Sequence, residues 1–302
     1  MKQKNIAQAL WFTAVISALA LSTFGCSTPA PAPTMKLTAS IYPVYCMLRQ
    51  LTVGLENVSV GCLATINAGC AHDYQITSAD RTLLADSALL VMNGAGMEPY
   101  LDDLLPAISA KIVETSAGLT LLPGDGHSGE FNPHTWLSPR NASAQSDTLA
   151  AALKELLPDQ ASIIERNRAD ASSRYAAMDA ELTAAFAPHN GAIIITFHPA
   201  FEYFARAYGL TIAATLTDDP HVSPSARRLS DIVDIVRGAG IGVIFADRES
   251  DLTGAQTVSR ETGAVIRYLD TAAYPMDGVS DTDVYFTAMR ANMAALLEAF
   301  AK

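Results

Sequence analysis

The sequence lacks an excess of positive charge. It has 20 Lys and Arg against 31 Asp and Glu, for a formal net charge of −11. An acidic surface repels phosphate groups, so the composition argues against binding to nucleic acid or to anionic lipid. It mildly favours cations, although solubility alone accounts for most of the acidity.

Cysteine is also scarce, with four residues in 302. No two of them have the short C-x-x-C spacing that is typical of thiolate zinc sites. Outside the cytoplasm a disulfide is stable, and a bridge between Cys62 and Cys70 would close a short loop leading into His72. Such a bridge would stabilise the fold by roughly 2–3 kcal/mol and would leave Cys46 unpaired. We expect this pairing, and thiolate zinc binding is the weaker alternative.

Long apolar runs are missing after the N-terminus. One run, residues 7–21, follows Lys2 and Lys4 and has the length and layout of a secretory signal peptide rather than a membrane helix. It ends at Phe24-Gly25-Cys26, where a small residue precedes a cysteine, as at a lipoprotein processing site. The sequence predicts a signal peptide over 1–25 and acylation of Cys26, with plain secretion or an uncleaved anchor as alternatives. The proline-rich residues 26–35 then form an extended tether.

Apolar segments of strand and helix type alternate from residue 36 onward. Strands are predicted at 36–41, 57–62, 88–93, 111–114, 192–196, 211–215, 243–246 and 264–268. Helices are predicted at 45–53, 78–85, 98–108, 141–157, 160–186, 200–208, 223–237, 255–262 and 284–300. This alternation indicates an α/β fold with parallel sheets covered on both faces.

Proline and glycine are absent from residues 160–186. Apolar residues recur there at helical spacing, and they are Ile164, Ala171, Tyr175, Met178, Leu182 and Phe186. Such a helix is roughly 40 Å long, and we interpret it as a rigid connector, with an ordinary surface helix as the alternative. The predicted domains are 36–158 and 189–302, joined by a connecting helix over 159–188.

Four candidate metal ligands occupy similar places in the two domains. His72, His198 and Asp270 each follow a predicted strand, and ligands of open parallel sheets collect beyond the carboxyl ends of strands. His134 lies in the loop before the last helix of the first domain, held between Pro133 and Trp136. Two candidates belong to each domain, so a site containing all four would lie in the cleft between the domains. Three imidazoles and one carboxylate make a complete tetrahedral zinc set.

Several short motifs resemble those of one protein family. They are Ser40-Ile41-Tyr42-Pro43, His72-Asp73-Tyr74, Asn93-Gly94-Ala95-Gly96, Pro133-His134-Thr135-Trp136-Leu137, Thr196-Phe197-His198-Pro199-Ala200-Phe201, Ser223-Pro224-Ser225 and Tyr268-Leu269-Asp270. Together, over about residues 37–301, they resemble the substrate-binding lipoproteins of bacterial zinc and manganese ABC importers. The resemblance implies two α/β domains joined by a rigid helix, and metal ligation by His72, His134, His198 and Asp270.

The chain departs from that family pattern in three places. The proline-rich approach to the first histidine is replaced by residues 65–71, and the histidine-rich loop of many zinc receptors is reduced to the segment around His127. The residues after strand 243–246 read Asp247-Arg248-Glu249, which we interpret as a solvated turn. His127, His189 and His221 are interpreted as loop or helix-end residues, although His221 could line the cleft.

The resemblance predicts a metal receptor that delivers its ion to an ABC importer permease. A third imidazole, His198, favours Zn²⁺ over the alternative Mn²⁺, which prefers more oxygen ligands. We expect a monomer outside the cytoplasm, held to the membrane by its acyl anchor, with no enzymatic activity and no nucleic-acid partner.

Two other functions are weighed against this one. A zinc hydrolase needs an open metal position and a nearby base, but no H-E-x-x-H motif is present and only Glu98 and Glu202 are candidates for the base. The second alternative is an adhesin-like lipoprotein in which the metal is structural. Such a protein would lose its fold when treated with a chelator.

Overall fold

The computed structural model describes residues 34–64, 74–124, 130–217, 223–247 and 251–301. By its internal contacts the chain divides into Met1–Thr34 and Met35–Lys302, and the fold below is that of the second unit. Several residues discussed above lie outside the described residues, namely Cys26, Cys70, His72, His127 and His221.

A four-stranded parallel sheet forms the N-terminal lobe. Its strands are β1 (Met35–Ile41), β2 (Val58–Ala64), β3 (Leu89–Met92) and β4 (Lys111–Glu114), in the order β2-β1-β3-β4. Its helices are α1 (Tyr42–Leu51), α2 (Ser78–Ala85) and α3 (Pro139–Leu156). Thr77 begins α2 with a capping box, in which Thr77 and Asp80 exchange side-chain and backbone hydrogen bonds.

A 26-residue helix, α4 (Ala161–Phe186), follows the N-terminal lobe. Its buried residues are Ile164, Ala171, Tyr175, Met178, Leu182 and Phe186, which confirms the stripe expected from the spacing of apolar residues. These side chains belong to one apolar cluster that also includes Leu37 and Val91 of the first sheet and Ile194 and Phe245 of the second. The helix is therefore packed into a core shared by both lobes, which makes it a rigid connector.

A second four-stranded parallel sheet forms the C-terminal lobe and repeats the topology of the first. Its strands are β5 (Ile193–Thr196), β6 (Thr211–Thr215), β7 (Val243–Asp247) and β8 (Val265–Leu269), in the order β6-β5-β7-β8. Its helices are α5 (Glu202–Ala207), α6 (Ala226–Ala239), α7 (Thr253–Thr262) and α8 (Val284–Phe300). The predicted fold class is confirmed: two parallel-sheet α/β domains are joined by one long helix. The boundaries at residues 158 and 189 stay predictions.

The predicted helix over 98–108 is wrong. The chain there makes two 3-10 turns instead, Pro99–Leu101 and Leu105–Ala107. Pro99 opens the first turn, where a helix tolerates proline, but Pro106 has no backbone N–H to donate and its ring clashes with the carbonyl four residues earlier. A continuous α-helical ladder therefore cannot run through this segment. The helix predicted to begin at residue 223 begins at Ala226, since Ser225 caps α6 by accepting a hydrogen bond from the Arg228 amide.

The order of strands creates one topological switch point in each sheet. In the first sheet β2 lies on one side of β1 and β3, the next strand along the chain, lies on the other side. In the second sheet β6 and β7 flank β5 in the same way. Ligands of open α/β sheets bind beyond the carboxyl ends of the strands at such points. The segments that follow β1, β3, β5 and β7 therefore lie where such ligands bind. Among the described helices, none is both long and apolar enough to cross a membrane.

Candidate metal site

His134 is held in a short, buried segment before α3. Trp136 and Leu137 are buried in the 3-10 turn that follows it, and His134 itself is 5% exposed. The Trp136 indole N–H donates to the Thr271 carbonyl at 2.8 Å, and the Tyr285 hydroxyl donates to the Trp136 carbonyl at 2.9 Å. Both contacts come from the C-terminal lobe, so the position of His134 is set by both lobes.

An asparagine determines which ring nitrogen of His134 carries the proton. Asn132 Oδ1 lies 3.0 Å from the His134 backbone nitrogen and 3.0 Å from its Nδ1. A carboxamide oxygen can only accept, so Nδ1 carries hydrogen and the lone pair of the neutral ring is on Nε2. A lone pair on Nε2 is what a metal ion requires of an imidazole ligand.

His198 follows β5 and faces the end of β7. Thr196 pairs with Phe245 in the parallel register, so His198 and Asp247, each two residues further on, lie opposite each other. Asp247 Oδ2 is 2.5 Å from His198 Nδ1, and both residues are buried. The carboxylate accepts from Nδ1 and again leaves the lone pair of the neutral ring on Nε2.

The interpretation of Asp247 as part of a solvated turn is therefore wrong. Asp247 is 7% exposed and is the last residue of β7, while Arg248 and Glu249 lie outside the described residues. The sequence did contain a usable signal, because Asp247 ends a buried strand at the same edge of the sheet as His198. The charged residues after it obscured that signal.

The two imidazoles lie together. The His134 and His198 ring centroids are 5.2 Å apart and the ring planes are inclined by 70°. Two residues separated by 64 positions thus meet at one point, as a single site shared by the two domains would require. Among the described residues, no group of three or more His, Cys, Asp or Glu side chains is placed to hold a metal ion.

Asp270 lies at the end of β8, in a loop fixed by the last helix. Its backbone N–H donates to Asn292 Oδ1 at 2.7 Å, and Asn292 Nδ2 donates back to the Asp270 carbonyl at 2.8 Å. Its Oδ1 accepts from the Ala272 amide at 2.8 Å. The next residue, Thr271, accepts from Trp136, which links this loop to the His134 segment. Ligation by Asp270 and by His72, which is outside the described residues, stays a prediction.

A buried carboxyl group supports the His134 segment from behind. Glu98 accepts from the Asn93 and Gly94 amides at 2.6 and 3.0 Å and from Ser40 Oγ at 2.6 Å. Asn93 in turn donates to the Pro133 carbonyl at 2.9 Å. Burial raises the pKa of Glu98 to about 7, although these hydrogen bonds lower it. These contacts connect the switch point of the first sheet to the residue before His134.

Three further residues from the sequence analysis are His189, Cys46 and Cys62. The His189 ring lies 5.0 Å from that of Phe300, next to the end of α4, as its interpretation as a helix-end residue requires. Cys46 and Cys62 are both free thiols in this structure. Because Cys70 lies outside the described residues, the expected Cys62–Cys70 pairing stays a prediction.

Comparison with known proteins gives the family. The family model described as the periplasmic zinc-uptake complex component A, ZnuA, matches residues 37–299. The chain belongs to this family. Its members are periplasmic components of zinc uptake, so this membership also supports a location outside the cytoplasm.

Relatives of the ZnuA family resemble the chain along most of its length. The zinc-binding lipoprotein AdcA of Streptococcus pneumoniae serotype 4 is 27% identical over 302 residues, covering 93% of this chain and 59% of that protein. A putative metal-binding protein of Treponema pallidum is 25% identical over 272 residues, covering 84% of this chain and 85% of that protein. The chain thus spans less than two thirds of the length of AdcA.

Solved structures of similar proteins share the fold. A crystal structure of ZnuA superposes with a TM-score of 0.76 at 26% identity, covering 88% of this chain and 99% of that one. The laminin-binding protein of Streptococcus agalactiae, described as a bifunctional protein with adhesin and metal transporting activity, gives a TM-score of 0.77 at 25% identity. It also covers 88% of this chain and 99% of that one.

Proposed function

We propose that this protein is an extracytoplasmic zinc receptor that delivers its ion to the permease of an ABC importer. The observation that carries the proposal is the meeting of His134 and His198, with ring centroids 5.2 Å apart. Each ring has its Nδ1 against a side-chain oxygen, so both neutral rings have the lone pair on Nε2. Two neighbouring imidazoles that both have an Nε2 lone pair are suited to bind one cation.

Zinc is the ion that this chemistry favours. Imidazole nitrogen is a preferred ligand of Zn²⁺, whereas Mn²⁺ prefers more oxygen ligands. We propose His72 and Asp270 as the third and fourth ligands, which would fill a tetrahedral site across the cleft. Membership of the ZnuA family and the zinc-binding AdcA relatives support zinc, and a manganese receptor of the same type is the alternative.

The hydrolase hypothesis has less support. Glu98 accepts three hydrogen bonds in the interior and Glu202 accepts from Asn132 Nδ2 at 2.9 Å, so both candidate bases serve as acceptors within the fold. With Asp270 as fourth ligand the metal would have no open position for water. We propose that the protein is a receptor and not an enzyme.

The membrane attachment is a separate part of the proposal. Acylation of Cys26 would hold a monomer at the membrane surface, with residues 26–35 as the tether. A Cys26→Ser variant should appear in the soluble extracytoplasmic fraction instead of the membrane fraction. Membrane association of the variant would show that Cys26 is not the anchor.

Substitution of the two described histidines tests the metal site. His134→Ala and His198→Ala should each weaken Zn²⁺ binding by orders of magnitude, measured by competition with a chromophoric chelator. His189→Ala is the matched control, because this histidine packs against Phe300 and should leave zinc affinity unchanged. Native mass spectrometry with competition between Zn²⁺ and Mn²⁺ decides the metal. Undiminished zinc affinity in both site variants would contradict the proposal.

Chelation distinguishes a receptor from a protein with a structural metal. The apo form of a receptor must be stable, so removal of zinc should leave the far-ultraviolet circular dichroism spectrum unchanged. Loss of the fold on chelation would favour a structural metal instead.

A further inference from the structure

We propose that Asn132 is a positioning residue for the metal site. Its one carboxamide orients the His134 imidazole and also joins the His134 segment to the turn that follows His198. The inference rests on the proposed zinc-receptor function, and it adds a residue that is not itself a ligand.

All the hydrogen-bonding positions of the Asn132 side chain are used. Oδ1 accepts from the His134 backbone N–H and from its Nδ1, each at 3.0 Å. Nδ2 donates to the Pro199 carbonyl at 2.7 Å and to Glu202 Oε2 at 2.9 Å. The side chain is buried, with 2% of the residue exposed. A buried amide with four partners is held in one orientation.

The orientation of this amide follows from two partners whose roles cannot change. The His134 backbone N–H can only donate, and the Pro199 carbonyl can only accept. Oδ1 must therefore face His134 and Nδ2 must face Pro199. It follows that the proton on the neutral His134 ring is on Nδ1, because the atom opposite it is an acceptor.

The same amide also links the two histidine segments directly. Pro199 and Glu202 are 67 and 70 residues from Asn132 in sequence, and Pro199 directly follows His198. Tyr203 adds a second link, since its hydroxyl donates to the Asn132 carbonyl at 2.8 Å and accepts from the Leu122 amide at 2.9 Å. Zinc–nitrogen bonds are about 2.0–2.1 Å long, so a shift of one imidazole against the other by a fraction of an ångström weakens binding.

Local sequence prepares Asn132 for this role. The proline at 133 restricts the backbone of the residue before it to extended conformations. Pro133 also has its carbonyl held by Asn93 Nδ2 at 2.9 Å. Asn132 thus enters the site from a backbone that is fixed on its C-terminal side.

Two variants separate the two functions of the carboxamide. Asn132→Ala removes both, and we expect zinc binding about 10–100-fold weaker, as is usual when the hydrogen-bond partner of a ligand histidine is lost. Asn132→Asp keeps an oxygen against His134 but places a second oxygen against the Pro199 carbonyl and the Glu202 carboxylate. We expect this variant to keep the His134 tautomer and still bind zinc more weakly, because the link to the His198 turn is lost.

Asn167→Ala is the matched control. Asn167 Nδ2 donates to the Leu51 and Val53 carbonyls at 3.0 and 2.8 Å, so this substitution also removes two side-chain-to-backbone bonds between distant segments. Zinc affinity of this variant should equal that of the wild type. Zinc affinity is measured by chelator competition, and the His134 tautomer of the apo protein by long-range ¹H–¹⁵N correlation spectra.

The expected result is weaker zinc binding in both Asn132 variants, with the Nδ1–H tautomer lost only in Asn132→Ala. Wild-type zinc affinity in Asn132→Ala, together with weak binding in His134→Ala, would overturn the inference and leave the proposed function intact. Wild-type affinity in His134→Ala and His198→Ala would overturn the proposed function itself. Equal losses in Asn132→Ala and Asn167→Ala, with an unchanged tautomer, would show that Asn132 is only structural. If Asn132→Ala does not fold, wild-type affinity in Asn132→Asp would overturn the inference.

Discussion

Asp247 Oδ2 lies 2.5 Å from His198 Nδ1, and the register of β5 against β7 places the two residues opposite each other. A carboxylate behind an imidazole fixes its tautomer and the orientation of its ring. The pair therefore provides one ligand of the proposed metal site in a fixed orientation. Both of its residues belong to the C-terminal lobe.

Removal of this carboxylate should weaken zinc binding. For Asp247→Ala we expect about a 10–100-fold loss in zinc affinity, because His198 Nδ1 loses its acceptor. Asp247→Asn keeps an oxygen acceptor without the charge and should lose less. Chelator competition measures both, with the exposed Asp231→Ala as control. Wild-type affinity in Asp247→Ala would show that the pair does not contribute to binding.

Glu98 should make the stability of the protein depend on pH. Burial raises its pKa from 4.5 to about 7 in the folded chain. Between these values the folded state binds more protons than the unfolded state, so the free energy of unfolding falls as pH rises through this window. At full ionisation the loss from this one group is about 3 kcal/mol.

A Glu98→Gln variant isolates that contribution. Its amide N–H₂ meets backbone N–H donors, so at pH 5 the variant should be less stable than the wild type. Since it cannot ionise, the difference from the wild type should shrink by about 2–3 kcal/mol between pH 5 and pH 8, as measured by urea unfolding. The exposed Glu56→Gln is the control. A constant difference across this range would contradict the raised pKa.

Asp281 joins the two lobes and should contribute to stability. It accepts from the Tyr42 hydroxyl at 2.8 Å and from the Tyr45 hydroxyl at 3.2 Å, both on α1 of the N-terminal lobe. Asp281→Ala removes both bonds, and we expect a loss of about 1–3 kcal/mol in the free energy of unfolding. Asp277→Ala, an exposed residue of the same loop, is the control for denaturant unfolding. Equal stability of the two variants would show that this contact does not hold the lobes together.

The buried face of the connector helix should be sensitive to cavities. Leu182 is fully buried in the core shared by the lobes, and Leu182→Ala should cost about 2–5 kcal/mol in the free energy of unfolding. Thr183→Ala changes the adjacent exposed residue and should cost far less. Calorimetry should show one unfolding transition for both variants. Separate transitions for the two lobes would argue against a common core.

Regular patterns in the sequence were sufficient to predict the α/β architecture. All eight strands of the described ranges were predicted with ends that differ by at most two residues, because buried strands of a parallel sheet are short continuous apolar runs. The connector helix was equally visible, since its buried stripe repeats at the helical period. The segment 98–108 was mispredicted because its apolar spacing resembles a helix, while Pro106 in its interior breaks the hydrogen-bond ladder.

The sequence by itself determined the strands, the long helix and the place of His198 just beyond a strand end, because these depend on local spacing and on the geometry of parallel sheets. Only the tertiary structure decided that His134 meets His198, that Asp247 is buried, and that Asn132 joins the two histidine segments. The physical reason is distance along the chain. A hydrogen bond between residues 49 or 67 positions apart leaves no periodic trace in the sequence, and it forms only when both sheets and the helix between them are packed.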